Sequence, residues 1–305
     1  MTALAVLAAT IAPLTARPAV LADADAVTAL LNAGELEVHD EAESDRDELV
    51  ESWTRPALDR ERDTVVVRDR DTVVAYGEIY RERADARVLA GYRGRGIGTA
   101  LVGWWTVRAA EHGHDRAGQT VSDHDHAAVA LLESLGCTRD YTAWILDRAL
   151  SPSAPQAPVL PAGYRLRDLA DGEERDAWQV IETAFARWPG RPPGRFDDWA
   201  ATSVAAPGFQ RWRAPVVVAP DGIVGVAMLR PYATEGWVQQ VAVADAHRGR
   251  GLGAALLTHA FRTFHAAGLP TGLSTDDRTG ALELYRHVGM TVRRSYGRWS
   301  RPTGA

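Results

Sequence analysis

The 305-residue sequence contains no lysine: all 34 of its basic residues are arginine. A lysine-bearing phosphate loop and a lysine Schiff base are thereby excluded, since both chemistries need the ε-amine. Its one cysteine, Cys137, cannot close an intrachain disulfide, and nothing points to an oxidising compartment. The formal charge of −6 gives no basic field for a polyanion, so no nucleic-acid partner is expected and any phosphate contact must be local. Long apolar runs are also scarce. Met1 to Ala16 is uncharged and mostly apolar, but it lacks the basic flank of a signal peptide and falls short of the roughly 20 residues of a membrane span. Pro13 interrupts it, a first strand is expected over 11–19, and the protein is expected to be cytoplasmic with no membrane partner.

What is present suffices for about two ordinary domains: 46% of residues are hydrophobic and 24% charged. Disordered and collagen-like architectures are excluded. The chain repeats itself. Tyr92-Arg-Gly-Arg-Gly-Ile-Gly-Thr-Ala-Leu101 matches His247-Arg-Gly-Arg-Gly-Leu-Gly-Ala-Ala-Leu256 at an offset of 155, with seven of ten positions identical, and Leu131–Gly136 faces Leu284–Gly289 at an offset of 153. Two copies of one domain follow, over 1–150 and 164–305. They are separated at 151–163, where Pro152, Pro155, Pro158 and Pro161 recur every third residue as in a semi-rigid polyproline connector.

In the second copy the patterning predicts a strand over 164–167, helices over 173–186 and 195–204, and a hairpin of 215–219 with 223–229 around Asp221-Gly222. A strand over 238–243 leads into the glycine-rich turn and a long helix. A strand over 269–274, a helix over 279–288 and a final extended pair over 290–299 complete it. The first copy repeats the order, with a fourth strand, Arg87 to Ala90, that reads as truncated. The fold class expected is α/β, two tandem mixed sheets flanked by helices.

Arg248-Gly249-Arg250-Gly251-Leu252-Gly253 follows a strand and opens a helix, so its amides form an anion site that only glycine leaves uncovered for a diphosphate. The glycine spacing and the missing acidic residue separate it from a dinucleotide fold. At these residues the sequence resembles the GNAT superfamily of N-acetyltransferases. Asp277 to Met290 resembles the family's last helix, Arg17 to Ala24 its opening strand and helix, and the double copy resembles the tandem arrangement of mycothiol-synthase-like proteins. The resemblance implies acetyl-CoA as donor and a small-molecule amine as acceptor. Its diphosphate would lie on Arg248 to Gly253 and its pantetheine arm against the backbone of Val241 and Val243, the Val241 amide serving as oxyanion donor. Tyr285 would be general acid for the departing thiolate; its alternative role is a core aromatic. Glu235, just before the fourth strand, is the candidate base or else a solvated turn residue. Asp277 stands where the family usually has Asn, and Met290 where it usually has Phe.

The first copy keeps Arg93, Gly94, Arg95, Gly96 and Gly98, yet Leu132 replaces the tyrosine, so a cradle without chemistry is expected there. Two His-x-His pairs, at 112 and 114 and at 124 and 126, lack further ligands, and no metal is expected. Between the early helices and the hairpin of the second copy lie Trp188, Phe196, Trp199 and Trp212, with Pro189, Pro192 and Pro193. They form either an acceptor wall, with Asp197 beside it for a cation, or an interface onto the first domain. A CoA-sensing scaffold is the rival to an enzyme, and a protein acetyltransferase would need a more open groove.

Overall fold

The computed structural model describes residues 2–55, 58–188 and 193–304. Its elements run, in the first half, α1 (Ala3–Thr10), β1 (Thr15–Arg17), α2 (Ala24–His39), α3 (Arg46–Trp53), α4 (Arg60–Asp63), β2 (Thr64–Asp69), β3 (Thr72–Tyr80), β4 (Arg83–Val88), α5 (Ile97–Glu111), β5 (Arg116–Ser122), α6 (His126–Ser134) and β6 (Thr138–Arg148). The second half continues with β7 (Arg165–Asp168), α7 (Glu174–Phe185), α8 (Phe196–Thr202), β8 (Pro215–Ala219), β9 (Gly222–Pro231), β10 (Gly236–Val243), α9 (Leu252–Ala266), β11 (Thr271–Asp276), α10 (Leu282–His287) and β12 (Thr291–Pro302).

Two compact units result, one of residues 1–142 with 295–305 and the other of 143–294. The proline-bearing segment 151–163 lies inside the second. In each unit a mostly antiparallel sheet carries helices on both faces. The second sheet runs β7-β8-β9-β10-β11 and ends on Ala143–Arg148 of β6, which pair antiparallel with β11. The first runs β1-β2-β3-β4-β5 and ends on Tyr296–Pro302 of β12, paired with β5. The single strand β12 replaces the extended pair expected over 290–299.

The duplication repeats its packing position by position. Ile97, Leu101, Trp105 and Ala109 of α5 are buried at a spacing of four, as are Leu252, Leu256, Ala260 and Phe264 of α9, so each helix lays one apolar stripe on its sheet. Val27 and Leu30 of α2 correspond to Ala177 and Val180 of α7 on the opposite face. The corner between first strand and first helix is clasped identically. Arg17 grips Asp23 with two hydrogen bonds of 2.6 and 2.7 Å, and Arg167 grips Glu173 with two of 2.7 Å. Each carboxylate also accepts a main-chain N–H, from Val20 or Ala170, satisfying a helix-start donor.

Two expectations change. The N-terminal apolar run is mainly helix: Ala3, Leu7 and Ile11 are buried in the core that holds α5, and the strand shrinks to Thr15–Arg17. The fourth strand of the first half is not truncated at Arg87. It begins at Arg83 and pairs with β3 from Tyr80 back to Ala75.

Candidate active site

The second unit opens where two parallel strands part. β10 and β11 pair at Gly236 with Thr271 and at Trp237 with Gly272, and diverge toward their C-terminal ends. The register of β10 on β9 shifts between Val238 and Gln240, a bulge that bends β10 at the parting. The Ala244 N–H donates to Val224 O of β9 at 2.8 Å. By the two-residue alternation of a strand, the main-chain groups of Val241 and Val243 therefore face the opening.

At the wide end, β10 runs through a short turn into the glycine-rich loop. Gly249 and Gly251 have φ of 72° and 77°, a conformation that side chains rarely adopt, and a Cβ at either would meet no atom within 4 Å. Among the described residues, space is thus left open beside both glycines at the start of α9, where the helix dipole adds its positive end. Gly253 serves packing instead: a Cβ there would lie 3.3 Å from Leu284 of α10 and 3.9 Å from Val243. The Arg248 guanidinium donates from Nε to Val243 O at 3.2 Å, folding back over the end of β10. Arg250 reaches Ala246 O at 3.4 Å.

Tyr285 lies on α10, next to the Leu284 that meets Gly253, with only 7% of its surface exposed. It belongs to the same apolar cluster as Leu252 and Leu256, against which Val241 and Val243 also pack. Burial pushes its phenol up to about 12, partly offset by the neighbouring Thr275 hydroxyl. A phenol so placed stays protonated at any physiological pH and can give a proton but not take one.

Two sets of comparisons bear on this geometry. The model of the acetyltransferase (GNAT) family matches residues 25–137 and again 175–290. The chain belongs to the GNAT family. As a GNAT acetyltransferase it is 31% identical over 240 residues to the mycothiol acetyltransferase of Frankia casuarinae, covering 72% of this chain and 69% of that one. The mycothiol acetyltransferase of Nocardia farcinica is 30% identical, over 72% and 73% of the two chains. A GCN5-related N-acetyltransferase from Sphaerobacter thermophilus superposes with a TM-score of 0.81 at 28% identity, covering 95% and 96% of the chains. A tandem GNAT protein from the clavulanic acid biosynthesis pathway shares the fold, with a TM-score of 0.69 at 18% identity over 96% and 99%.

The GNAT fold thus gathers Val241, Val243 and Arg248 to Gly253 around one opening and puts Tyr285 in the apolar cluster against which Val241 and Val243 pack, but not every expected residue joins them. Glu235 precedes the closed end. Its carboxylate lies 3.7 Å from Arg293 and against Gly272, whose missing side chain admits the Trp237 ring. Five to six residues of strand separate it from Val241, roughly 16–20 Å at 3.2–3.4 Å per residue. β10 itself carries no carboxylate. Asp197 points outward, its side chain 78% exposed and 4.0 Å from Arg195.

The aromatic segment divides. Trp199 donates from its indole N–H to Gln240 Oε1 of β10 at 3.2 Å, which brings it beside the bulge. Phe196 packs edge-on to Trp178 and tilted against Trp199, with the Arg175 guanidinium 4.1 Å from its ring centroid. Trp188 stands edge-on to Phe185 and faces Arg278 beyond β11. Pro189 and Pro192 lie outside the described residues. Sequence reasoning missed the bulge, the Gln240–Trp199 bond and the ion pair of Arg187 with Asp245.

The first unit repeats the loop almost angle for angle. Gly96 opens α5 at φ 80° and ψ −4°, as Gly251 opens α9 at 77° and 4°. Gly94 is likewise left-handed, while Gly98 abuts Leu131. Its surroundings differ. Arg93 is gripped by Glu37 of α2 through hydrogen bonds of 2.6 and 2.8 Å, and Arg95 stacks on Tyr92. β4 keeps an unbroken register on β3, and the Gln119 amide donates at 2.8 Å to Ala86 O, at the position that corresponds to Val241.

Of the two His-x-His pairs, the first is engaged by carboxylates: His112 contacts Asp63 at 2.9 Å, and His114 lies 3.9 Å from Glu82. Among the described residues no three potential metal ligands cluster, and no helix is long and apolar enough to cross a membrane.

Proposed function

We propose that the second unit transfers an acetyl group from acetyl-CoA to a primary amine of a small molecule by direct attack. The observation that carries this reading is the parting of β10 from β11 onto an uncovered glycine turn, with a buried protonated phenol packed at its base. The diphosphate of acetyl-CoA would rest on the amides and guanidiniums of Arg248 to Gly253, and the pantetheine arm would pair with the main chain of Val241 and Val243. The amine nitrogen attacks the thioester carbon, and the Val241 N–H donates to the oxyanion that forms. As the C–S bond breaks, its electron pair stays on sulfur and the Tyr285 hydroxyl supplies the proton, leaving free thiol and a tyrosinate that takes a proton back from water. The attacking amine releases its proton to water, since Glu235 stands at the far end of the strand. Trp199 and Trp188 would bound the acceptor.

In this reading the first unit takes no part in the chemistry. Glu37 already occupies its arginine, Gln119 fills its opening, and Leu132 has no proton to give. Its contribution is packing.

The relatives named mycothiol acetyltransferase favour a narrower version, in which this chain acts on the acceptor of those enzymes. Thiol release from acetyl-CoA, measured against an amine panel that includes that acceptor, tests both. Thiol release with several amines but not with that one supports the broader reading alone. No release with any amine, despite tight acetyl-CoA binding, would instead make the protein a CoA-binding sensor.

A further inference from the structure

The turn that ends α7 reaches both lips of the β10–β11 opening. The Trp188 N–H donates to Phe185 O at 3.0 Å and its ring stands edge-on to Phe185, so the turn is stapled to the helix end. From there Arg187 pairs with Asp245, just past β10, while the Trp188 ring centroid lies 5.9 Å from the guanidinium of Arg278, just past β11. Asp245 holds a second cation. Its Oδ2 takes Arg187, and its Oδ1 lies 3.2 Å from Nε of Arg248, the first residue of the cradle.

Two guanidiniums thus share one carboxylate at the rim of the glycine turn, which leaves positive charge in excess. All three side chains are about half exposed, 57% for Arg187, 44% for Arg248 and 43% for Asp245. Exchanging partners there costs little desolvation. A diphosphate offers two charges and several oxygens that fit the fork of arginine better than a single carboxylate does.

The duplication supplies an independent argument. The clasps Arg17–Asp23 and Arg167–Glu173 set the offset between the two opening segments at 150, and the same offset carries Glu37 onto Arg187. One position of the repeat therefore reaches the cradle arginine directly in the first unit and through Asp245 in the second, with opposite charge. In the first unit it delivers a carboxylate that occupies Arg93. In the second it delivers a guanidinium that joins Arg248 through Asp245.

We infer that Arg187 is a further binding residue for the acyl donor: its guanidinium moves from Asp245 to the diphosphate seated on Arg248 to Gly253. This rests on the reading of the second cradle as the acetyl-CoA site. Because Arg187 and Trp188 are adjacent, donor binding also fixes Trp188 over the opening, so donor and acceptor sites are coupled.

The test uses the full chain with two donors, acetyl-CoA and S-acetylpantetheine, which lacks the diphosphate. Arg187→Ala should weaken acetyl-CoA in calorimetry by about 5- to 20-fold, below the full value of a charge-assisted bond because the site is exposed. Its kcat/KM with S-acetylpantetheine should stay within about twofold of the unsubstituted chain, since the arginine has no phosphate to hold there. Arg187→Glu, which reproduces the charge of the first unit, should weaken acetyl-CoA further. Unchanged acetyl-CoA affinity in both variants, or equal losses with both donors, would overturn the inference. Failure of the unsubstituted chain to bind acetyl-CoA would overturn the underlying reading instead. Melting temperatures check that this exposed site leaves the fold intact.

Discussion

Leu132 and Tyr285 occupy the same position of the repeated unit. The main-chain carbonyl of each accepts a hydrogen bond of 3.0 Å from the residue five places on, Cys137 in one case and Met290 in the other. Both side chains are buried against the helix that follows the glycine turn. The backbone has been kept and the hydroxyl has not, so the two units differ at this point by a single proton donor.

Tyr285→Phe removes that donor and keeps the ring. Its kcat should fall by at least about tenfold, the lower part of the range for general acid catalysis, because a thiolate already leaves fairly well. With the phenol pushed up to about 12, the hydroxyl is protonated throughout pH 6–10, so the loss should be the same across that range. A pH–rate profile of both proteins checks this. A wild-type kcat where chemistry limits the rate, or a defect that disappears at one end of the range, would remove Tyr285 from the mechanism.

Calorimetry should find one acetyl-CoA per chain. Gly251→Glu puts a side chain and a negative charge where the diphosphate must approach and should abolish binding. Gly96→Glu, at a loop whose arginine is already paired with Glu37, should leave stoichiometry at one and turnover within a few fold. Two equivalents in the unsubstituted chain would show the first opening to be a working site.

Glu235→Gln should keep kcat within about threefold, since the carboxylate sits beside Arg293 at the closed end of the strand pair. A hundredfold loss in a protein of unchanged melting temperature would make it the base after all.

Trp199→Ala should raise the acceptor KM more than that of acetyl-CoA. A buried aromatic contact of about 1–3 kcal/mol corresponds to roughly 5- to 150-fold. Initial-rate kinetics with each substrate varied in turn decide it; lowered melting temperature with unchanged acceptor KM would assign the indole to packing alone.

The glycine turn was legible in the sequence because a left-handed backbone leaves glycine as its mark, and Tyr285 through the resemblance of its helix to the family's last one. The bulge in β10 left no mark: Val238, Gln239 and Gln240 fit an ordinary strand as well as a bent one. Arg83 and Asp85 bring charge with little apolar bulk between them, so the strand reads as starting only at Arg87, although Ala84, Ala86 and Val88 pack on the core. The helix α1 hid for the opposite reason, since a run of small apolar residues shows no periodicity. Glu235 lies at the closed end, which the sequence did not reveal because adjacency to a strand says nothing of which end is open. The contacts of Glu37 with Arg93 and of Arg187 with Asp245 were invisible, because each joins segments more than fifty residues apart in sequence.

The last eleven residues complete the first unit, although they follow the whole of the second, and Ala143–Arg148 complete the second from within the strand that ends the first. A fragment cut at the proline-bearing segment would lose the buried Trp299 from one core, and its complement would lose Leu146 from the other, each leaving a bare sheet edge. A cut at that segment therefore removes one buried strand from each core. In the reading proposed above, the unit that transfers the acetyl group takes its edge strand from the chain that leads out of the first unit, which is a physical reason to keep both copies in one polypeptide.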